Sequence, residues 1–339
     1  IVLNNDILIN ENVLNEDGTL NEANASTFVQ WEPIGVATYI NSVQNYVSAF
    51  KGNIDGNNKT ILGIYVNNET KFCAGLISCL EGGRIQDLKV SNSYIYGERF
   101  VGGIVGANLS GNIYNCTSDD NLIVGNSFRI GGIVGWHSSG IVKDCYNTSK
   151  VASNTKSESG GIIGHMTSGI VDNCYNLGVI STSEGYGGGI VGRCSSYAGE
   201  EDSYCKIIDS YNKGNVVVNL NCAGGIVGGV TDESHYIQVD IINSYNAGAV
   251  AASARAGGIC GALNHQSVSS YSMKVNIINS YNAENGEILS SEGNGGIAGR
   301  GLDNAFANLA NVYNVGTIED ISTSGGIVGK VYEEANLEY

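Results

Sequence analysis

Five carboxylates fall in two short stretches of this 339-residue chain: Glu200, Glu201 and Asp202, then Asp232 and Glu233. Tyrosines and imidazoles surround them, at Tyr197, Tyr204, His235, Tyr236, His265 and Tyr271. Two carboxylates held about 5 to 9.5 Å apart can hydrolyse a glycosidic bond. The same residue types can instead hold a sugar, whose apolar face packs on a ring while its hydroxyls meet acceptors. Nothing further supports catalysis. No HExxH motif surrounds His137, His165, His235 or His265, and the chain has no GxSxG elbow and no phosphate-binding glycine loop. Glu200 to Asp202 lack the alternating ligand spacing of a calcium loop. We therefore expect no catalytic residue, no metal and no cofactor, and take the eleven residues named above as a candidate ligand-binding set.

The nine cysteines are the other residues with chemistry to offer. No CxxC pair occurs, and Cys116, Cys145 and Cys174 recur 29 residues apart instead of converging, which argues against zinc. Later equivalents of this column are Ser210, Ser244, Ser280 and Val312, so it reads as small side chains packed inside a repeat. Cys194 and Cys205, in one insertion, are the pair best placed for a disulfide. An odd total leaves at least one thiol unpaired within the chain.

What must position these residues is a repeat. The pentad GGIxG begins at Gly102, Gly131, Gly160, Gly188, Gly224, Gly257, Gly295 and Gly325, with a degenerate copy, AGLIS, from Ala74. Its second residue falls at 75, 103, 132, 161, 189, 225, 258, 296 and 326, so one repeat spans 28 to 38 residues. One residue before the cysteine column stands Asp or Asn (Asp87, Asn115, Asp144, Asn173, Asp209, Asn243, Asn279, Asn311), and from the repeat at Cys145 onward Tyr-Asn follows it. Short runs rich in Ile and Val, punctuated by Gly, Asn and Asp, read as strands and turns, and no window sustains a helical period.

About 28 residues suffice for three short strands and their corners. This predicts an all-β fold: a single-stranded right-handed parallel β-helix of about nine or ten coils, whose equivalent columns stack about 4.8 Å apart. Ile104, Ile133, Ile162, Ile190, Ile226, Ile259, Ile297 and Ile327 become an interior stack. The Asn/Asp column gains a structural reason, because such side chains hydrogen-bond local backbone or the next coil. A propeller blade needs four strands and usually a longer repeat.

Departures from the period locate the candidate set. From the second pentad residue to the cysteine column the distance is 13 in the short coils, but 21, 19, 22 and 16 in the last four. The extra residues all leave one corner of consecutive coils and must lie side by side. In repeat proteins, insertions mapped to one face often form the binding face.

Residues 1–49 read as an N-terminal cap and irregular first coil, with Phe28, Trp31, Tyr39, Tyr46 and Phe50 supplying bulk. Residues 50–339 read as the β-helix. The chain begins with Ile, shows no signal peptide and ends without a closing cap, so it is expected to be a piece of something larger. A net charge of -16 opposes nucleic acid and anionic membranes, and no apolar run reaches membrane length.

Trp31 to Gly35 (W-x-P-I-G), Phe50 to Gly63 (F-x-G-x-x-D-G-x-x-x-T-I-x-G) and the repeated GGIVG with Cys-Tyr-Asn together resemble the bacterial surface proteins that carry GLUG repeats. The resemblance implies an extracellular or cell-surface module of a large adhesin-like chain. Such repeats also occur beside the catalytic domain of immunoglobulin A1-cleaving metallopeptidases, whose zinc motif is missing here. The expected function is therefore a non-catalytic adhesion or ligand-presenting module. It would meet a host or environmental glycan or an extracellular protein and be attached to further domains. The alternatives are a structural spacer and a polysaccharide-active glycoside hydrolase or lyase.

Overall fold

The structure is a computed structural model that describes residues 1–40, 43–196, 202–232, 235–265, 273–301, 305–319, 323–331 and 336–338. It is all-β and parallel, with coils stacked into three sheets. One sheet holds the strands that begin at the fourth residue of each pentad: Ile77–Leu80, Val105–Asn108, Val134–His137, Ile163–Met166, Val191–Ser195, Val227–Asp232, Cys260–His265, Ala298–Gly301 and Val328–Val331. Its nine strands match the nine pentad copies. The second sheet carries the Tyr-Asn dipeptides. A third, the middle sheet, lies between that dipeptide and the next pentad, as in Ile180–Gly188 and Val216–Gly224. The antiparallel pairing of Val36–Ile40 with Val43–Ser48 is a local hairpin near the N-terminus.

The expected interior column forms. Ile104 N–H donates to the Ile133 carbonyl at 3.1 Å, Ile133 to Ile162 at 3.0 Å and Ile162 to Ile190 at 3.0 Å, and their side chains are fully buried in one continuous core. In the Asn/Asp column every residue from Asp87 to Asn311 has φ between +48° and +54°. Asn and Asp tolerate this left-handed backbone better than other non-glycine residues, so backbone geometry selects the type. The side chains also link coils: Asn173 Nδ2 donates to Asp144 Oδ1 at 2.6 Å and Asn243 Nδ2 to Asp209 Oδ1 at 2.9 Å.

The residue after this kink explains why Cys and Ser exchange. Cys116 Sγ donates to the Tyr114 carbonyl at 3.2 Å, and Ser210 Oγ to that of Ile208 at 2.7 Å. Each sulfur or oxygen can also accept from the preceding coil, as Cys145 Sγ does from Cys116 N–H at 3.4 Å and Ser210 Oγ from Cys174 N–H at 3.1 Å. From Cys116 to Ser280 the column holds short side chains that both donate and accept, which is more than small size, whereas Val312 beyond them only packs.

Tyr-Asn then divides its two side chains between the two faces of the sheet. Tyr146, Tyr175, Tyr211, Tyr245, Tyr281 and Tyr313 stack outside with ring centroids 4.8 to 5.2 Å apart. Their partners from Asn147 to Asn314 form an inner amide ladder whose Nδ2 to Oδ1 distances are 2.8 or 2.9 Å. Asn176 Nδ2 also donates to the Gly178 carbonyl at 2.9 Å, while Oδ1 accepts from Gly178 N–H at 3.2 Å. At the N-terminal end Trp31 Nε1 donates to the Leu76 carbonyl at 3.1 Å, and Phe28 meets Tyr65 edge-on at 5.1 Å.

Candidate functional site

The extra residues at the insertion corner do more than lengthen a loop, because they widen both adjoining sheets. In a short coil the strands flanking the corner are Ile163–Met166 and Gly169–Asp172; in the coils above they are Val227–Asp232 with Ile237–Ile242, and Cys260–His265 with Met273–Ile278. Alternate residues of Ile237–Ile242 and Met273–Ile278 enter the core at Ile237, Val239, Ile241, Met273, Val275 and Ile277. The residues between them form two outward columns in register, Tyr204–Gln238–Lys274–Phe306 and Lys206–Asp240–Asn276–Asn308.

Two members of the candidate set, Tyr204 and Tyr236, meet on this face. Tyr204 is 56% exposed, and its ring lies 6.1 Å from that of Tyr236. Partial burial raises the Tyr236 pKa, and the charges of Tyr204, Asp240 and Asp202 add to the effect. Tyr236 Oη donates to Gln238 Oε1 at 3.2 Å, Gln238 Nε2 to Asp240 Oδ1 at 3.1 Å, and Asn276 Nδ2 to the same oxygen at 2.6 Å. Beyond them Lys274 Nζ lies 5.7 Å from the Phe306 ring centroid. The result is a fixed row of hydroxyl, amide and carboxylate groups beside an exposed ring.

Other members go elsewhere. Asp232 is fully buried at the end of its strand, in register with His265, so it forms no part of an exposed surface. His235 is half-buried, and its N–H donates to Ser196 Oγ at 3.4 Å. Tyr197, Glu200, Glu201, Glu233 and Tyr271 lie outside the described residues. Gln238, Asp240, Lys274 and Asn276 were missed as candidates. The alternation in IQVDII and MKVNII was the available signal, since it sets every second residue on the outer face.

A second polar group, also missed, fills the outer side of the pentad bend. There the middle-sheet column Phe100–Arg129–Glu158–Tyr186 faces the pentad-sheet column Ala107–Trp136–His165–Arg193. Arg129 lies 5.1 Å from the ring centroids of both Phe100 and Trp136. Arg193 donates from Nη1 to Glu158 Oε1 at 3.2 Å and from Nε to Thr231 Oγ1 at 2.8 Å. His165 Nε2 is 3.1 Å from Ser195 Oγ, and His165 Nδ1 is 4.0 Å from Glu158 Oε2.

Ser195, His165 and Glu158 thus stand in the order of a nucleophile, a base and an orienting acid. The surroundings oppose that use. Burial first, then Arg129 and Arg193, hold the His165 pKa well below the usual histidine range, and Ser195 is fully buried. An imidazole beside two guanidinium groups is poorly placed to take a proton from a hydroxyl. The group's evident work is to neutralise Glu158 between two arginines and close the bend.

Buried neutral imidazoles make stability depend on pH. Burial lowers the His137 pKa to about 4, only partly offset by the Gly140 carbonyl 3.3 Å from Nε2, while Nδ1 lies 3.0 Å from Asn108 Nδ2. The folded value is below the unfolded one, near 6.5, so the stabilisation is complete above pH 6.5 and is lost as pH falls from there towards 4. A shift of this size corresponds to about 3 kcal/mol. His165 acts in the same direction. We expect urea midpoints of the wild type to fall between pH 7 and pH 4.5, and those of His137→Gln to fall by less. Parallel declines would remove His137 from the account.

Among the described residues no group of three or more His, Cys, Asp or Glu side chains could hold a metal, and no helix is long and apolar enough to cross a membrane. Residues 101–123, which contain one pentad and the first cysteine of the column, match the GLUG motif. No curated protein matches the chain. Among solved structures it is similar to a Bacteroides ovatus protein provisionally named an immunoglobulin A1 protease. The identity is 15% and the TM-score 0.37, with 99% of this chain and 76% of the other covered. The chain thus carries the GLUG motif at residues 101–123 on a parallel β-solenoid, in keeping with the GLUG-repeat resemblance drawn from its sequence.

Proposed function

We propose that this chain is a non-catalytic extracellular module of a bacterial surface protein, which presents its widened corner to an extracellular glycan or protein. The observation that carries this reading is the coincidence of two features on one face. The coils widen at one corner, and the exposed Tyr204 ring stands there beside Tyr236, Gln238 and Asp240. A ring with nearby acceptors and an amide suits a sugar, with the ring against its C–H face and the polar groups on its hydroxyls. A net charge of -16 disfavours polyanions.

A spacer is the second reading, favoured by the uninterrupted tyrosine stack and amide ladder that run through short and widened coils alike. A screen against arrayed glycans and extracellular-matrix proteins separates the two readings. Wild type is expected to bind a subset that the double variant Tyr204→Ala, Asp240→Ala binds at least tenfold more weakly. Equal binding by both would reject this face, and no binding by either would leave the spacer.

A further inference from the structure

Five of the nine cysteines fall into two contrasting arrangements. Cys116, Cys145 and Cys174 follow one another along the axis, and each sulfur is engaged with the carbonyl two residues before it, at 3.2 to 3.3 Å. Stacked in parallel, they have the orientation of a hydrogen-bonded column. Cys194 and Cys205 differ because they lie within one coil and approach from different sheets. Cys194 is the penultimate residue of the pentad strand Val191–Ser195, and Cys205 lies in Ser203–Ile208 of the Tyr-Asn sheet.

Both are buried in the main core, at 0% and 2% exposure, and both are free thiols in this structure. Cys205 Sγ lies 3.3 Å from the Thr167 carbonyl and 3.8 Å from that of Met166, the residue in register with Cys194. The neighbouring Cys205 thiol first, and then burial, push the Cys194 pKa well up. In the coil above, Val230 and Val239 occupy the equivalent places. Apolar packing therefore suffices at this corner, and the first widened coil alone sets two thiols across it.

We propose that Cys194 and Cys205 form a disulfide when the chain matures in an oxidising compartment, closing the first widened corner across residues 195–204. The compartment rests on the extracellular reading above. One thiolate attacks a disulfide donor such as oxidised glutathione, giving a mixed disulfide and releasing one thiol. The second thiolate then displaces the other donor thiol. The protein gives up two protons and two electrons, and the donor disulfide is reduced to two thiols. Because both sulfurs are enclosed in the folded coil, exchange takes place before the corner packs. The bridge then holds Asp202 and Tyr204 in place before any ligand arrives, which lowers the ordering cost of binding.

Peptide mapping tests this independently of any ligand, so a missing ligand and a missing bridge are separate results. The full chain is exported to an oxidising compartment and, in parallel, made in a reducing cytoplasm. Each product is alkylated under denaturing conditions and digested without reductant. The exported protein should give one linked peptide pair joining Cys194 to Cys205, lighter by two hydrogens, with Cys116, Cys145 and Cys174 alkylated; the cytoplasmic protein should give nine alkylated cysteines. Reductant should lower the melting temperature of the exported wild type by several degrees and leave Cys194→Val, Cys205→Val unchanged. Alkylated Cys194 and Cys205 in the exported protein, or linkage of either to another cysteine, would overturn the proposal.

Discussion

Gly161→Ala is expected to cost at least about 4 kcal/mol, the range in which a single substitution reports a definite steric or electrostatic fault. A Cβ at Gly161 would lie 2.1 Å from the Gly189 carbonyl oxygen and 2.4 Å from Asn176 Cγ. Neither neighbour can retreat. The coil spacing is held by hydrogen bonds such as Ile162 N–H to the Ile190 carbonyl at 3.0 Å, and the Asn176 amide is fixed by Asn147, Asn212 and Gly178. Gly301→Ala is the matched control, since a Cβ there meets nothing within 4 Å. Urea unfolding followed by circular dichroism should show a large loss for the first and a change within about 0.5 kcal/mol for the second. A Gly161→Ala protein within about 1 kcal/mol of wild type would show that the coils can spread.

Glu158→Gln is the second large effect, expected at about 3 to 5 kcal/mol, because removing one partner leaves buried charge uncompensated. Glu158 is the carboxylate between Arg193, at 3.2 Å, and Arg129, at 4.0 Å, and both arginines are buried. The double variant Glu158→Gln, Arg193→Gln should recover part of the loss, since it removes one of the stranded charges. A double-mutant cycle in denaturant measures that coupling. A single variant as stable as wild type at pH 7 would mean that the arginines are neutralised by groups other than Glu158.

The contrast between these two sites shows what a sequence of this kind reveals. Gly161 belongs to a column in which each coil repeats the same demand, so its type recurs and the eye finds it. Ile104 and Asn115 are legible for the same reason, and the parallel solenoid follows from them. Arg129, Glu158, His165 and Arg193 meet because two different columns face each other across the bend. Each occupies a place held in neighbouring coils by Phe100, Tyr186, Trp136 or Gly229, so periodicity hides them. The corner was legible in position but not in form. Counting the surplus residues located it, yet their division between longer strands and a loop depends on pairing with the coils above and below, as Lys206 and Asp240 do with Asn276. The cysteine column was read as small packing, because sequence alone does not show that its sulfurs and hydroxyls both donate and accept.

The two amide columns also run in opposite directions. In the buried column each Nδ2 donates towards the C-terminal end, from Asn147 to Asn176 and onward to Asn314. In the exposed column Asn173 donates to Asp144, Asn243 to Asp209, Asn279 to Asn243 and Asn311 to Asn279, towards the N-terminal end. Aligned peptide dipoles in an α-helix sum to about half a charge at each end, and chained hydrogen bonds polarise one another further. Where the exposed column carries Asn, as at Asn243, Asn279 and Asn311, a coil contributes one side-chain amide pointing each way. Over those coils the two columns oppose each other, so lengthening that part of the rod adds little to the field at its ends.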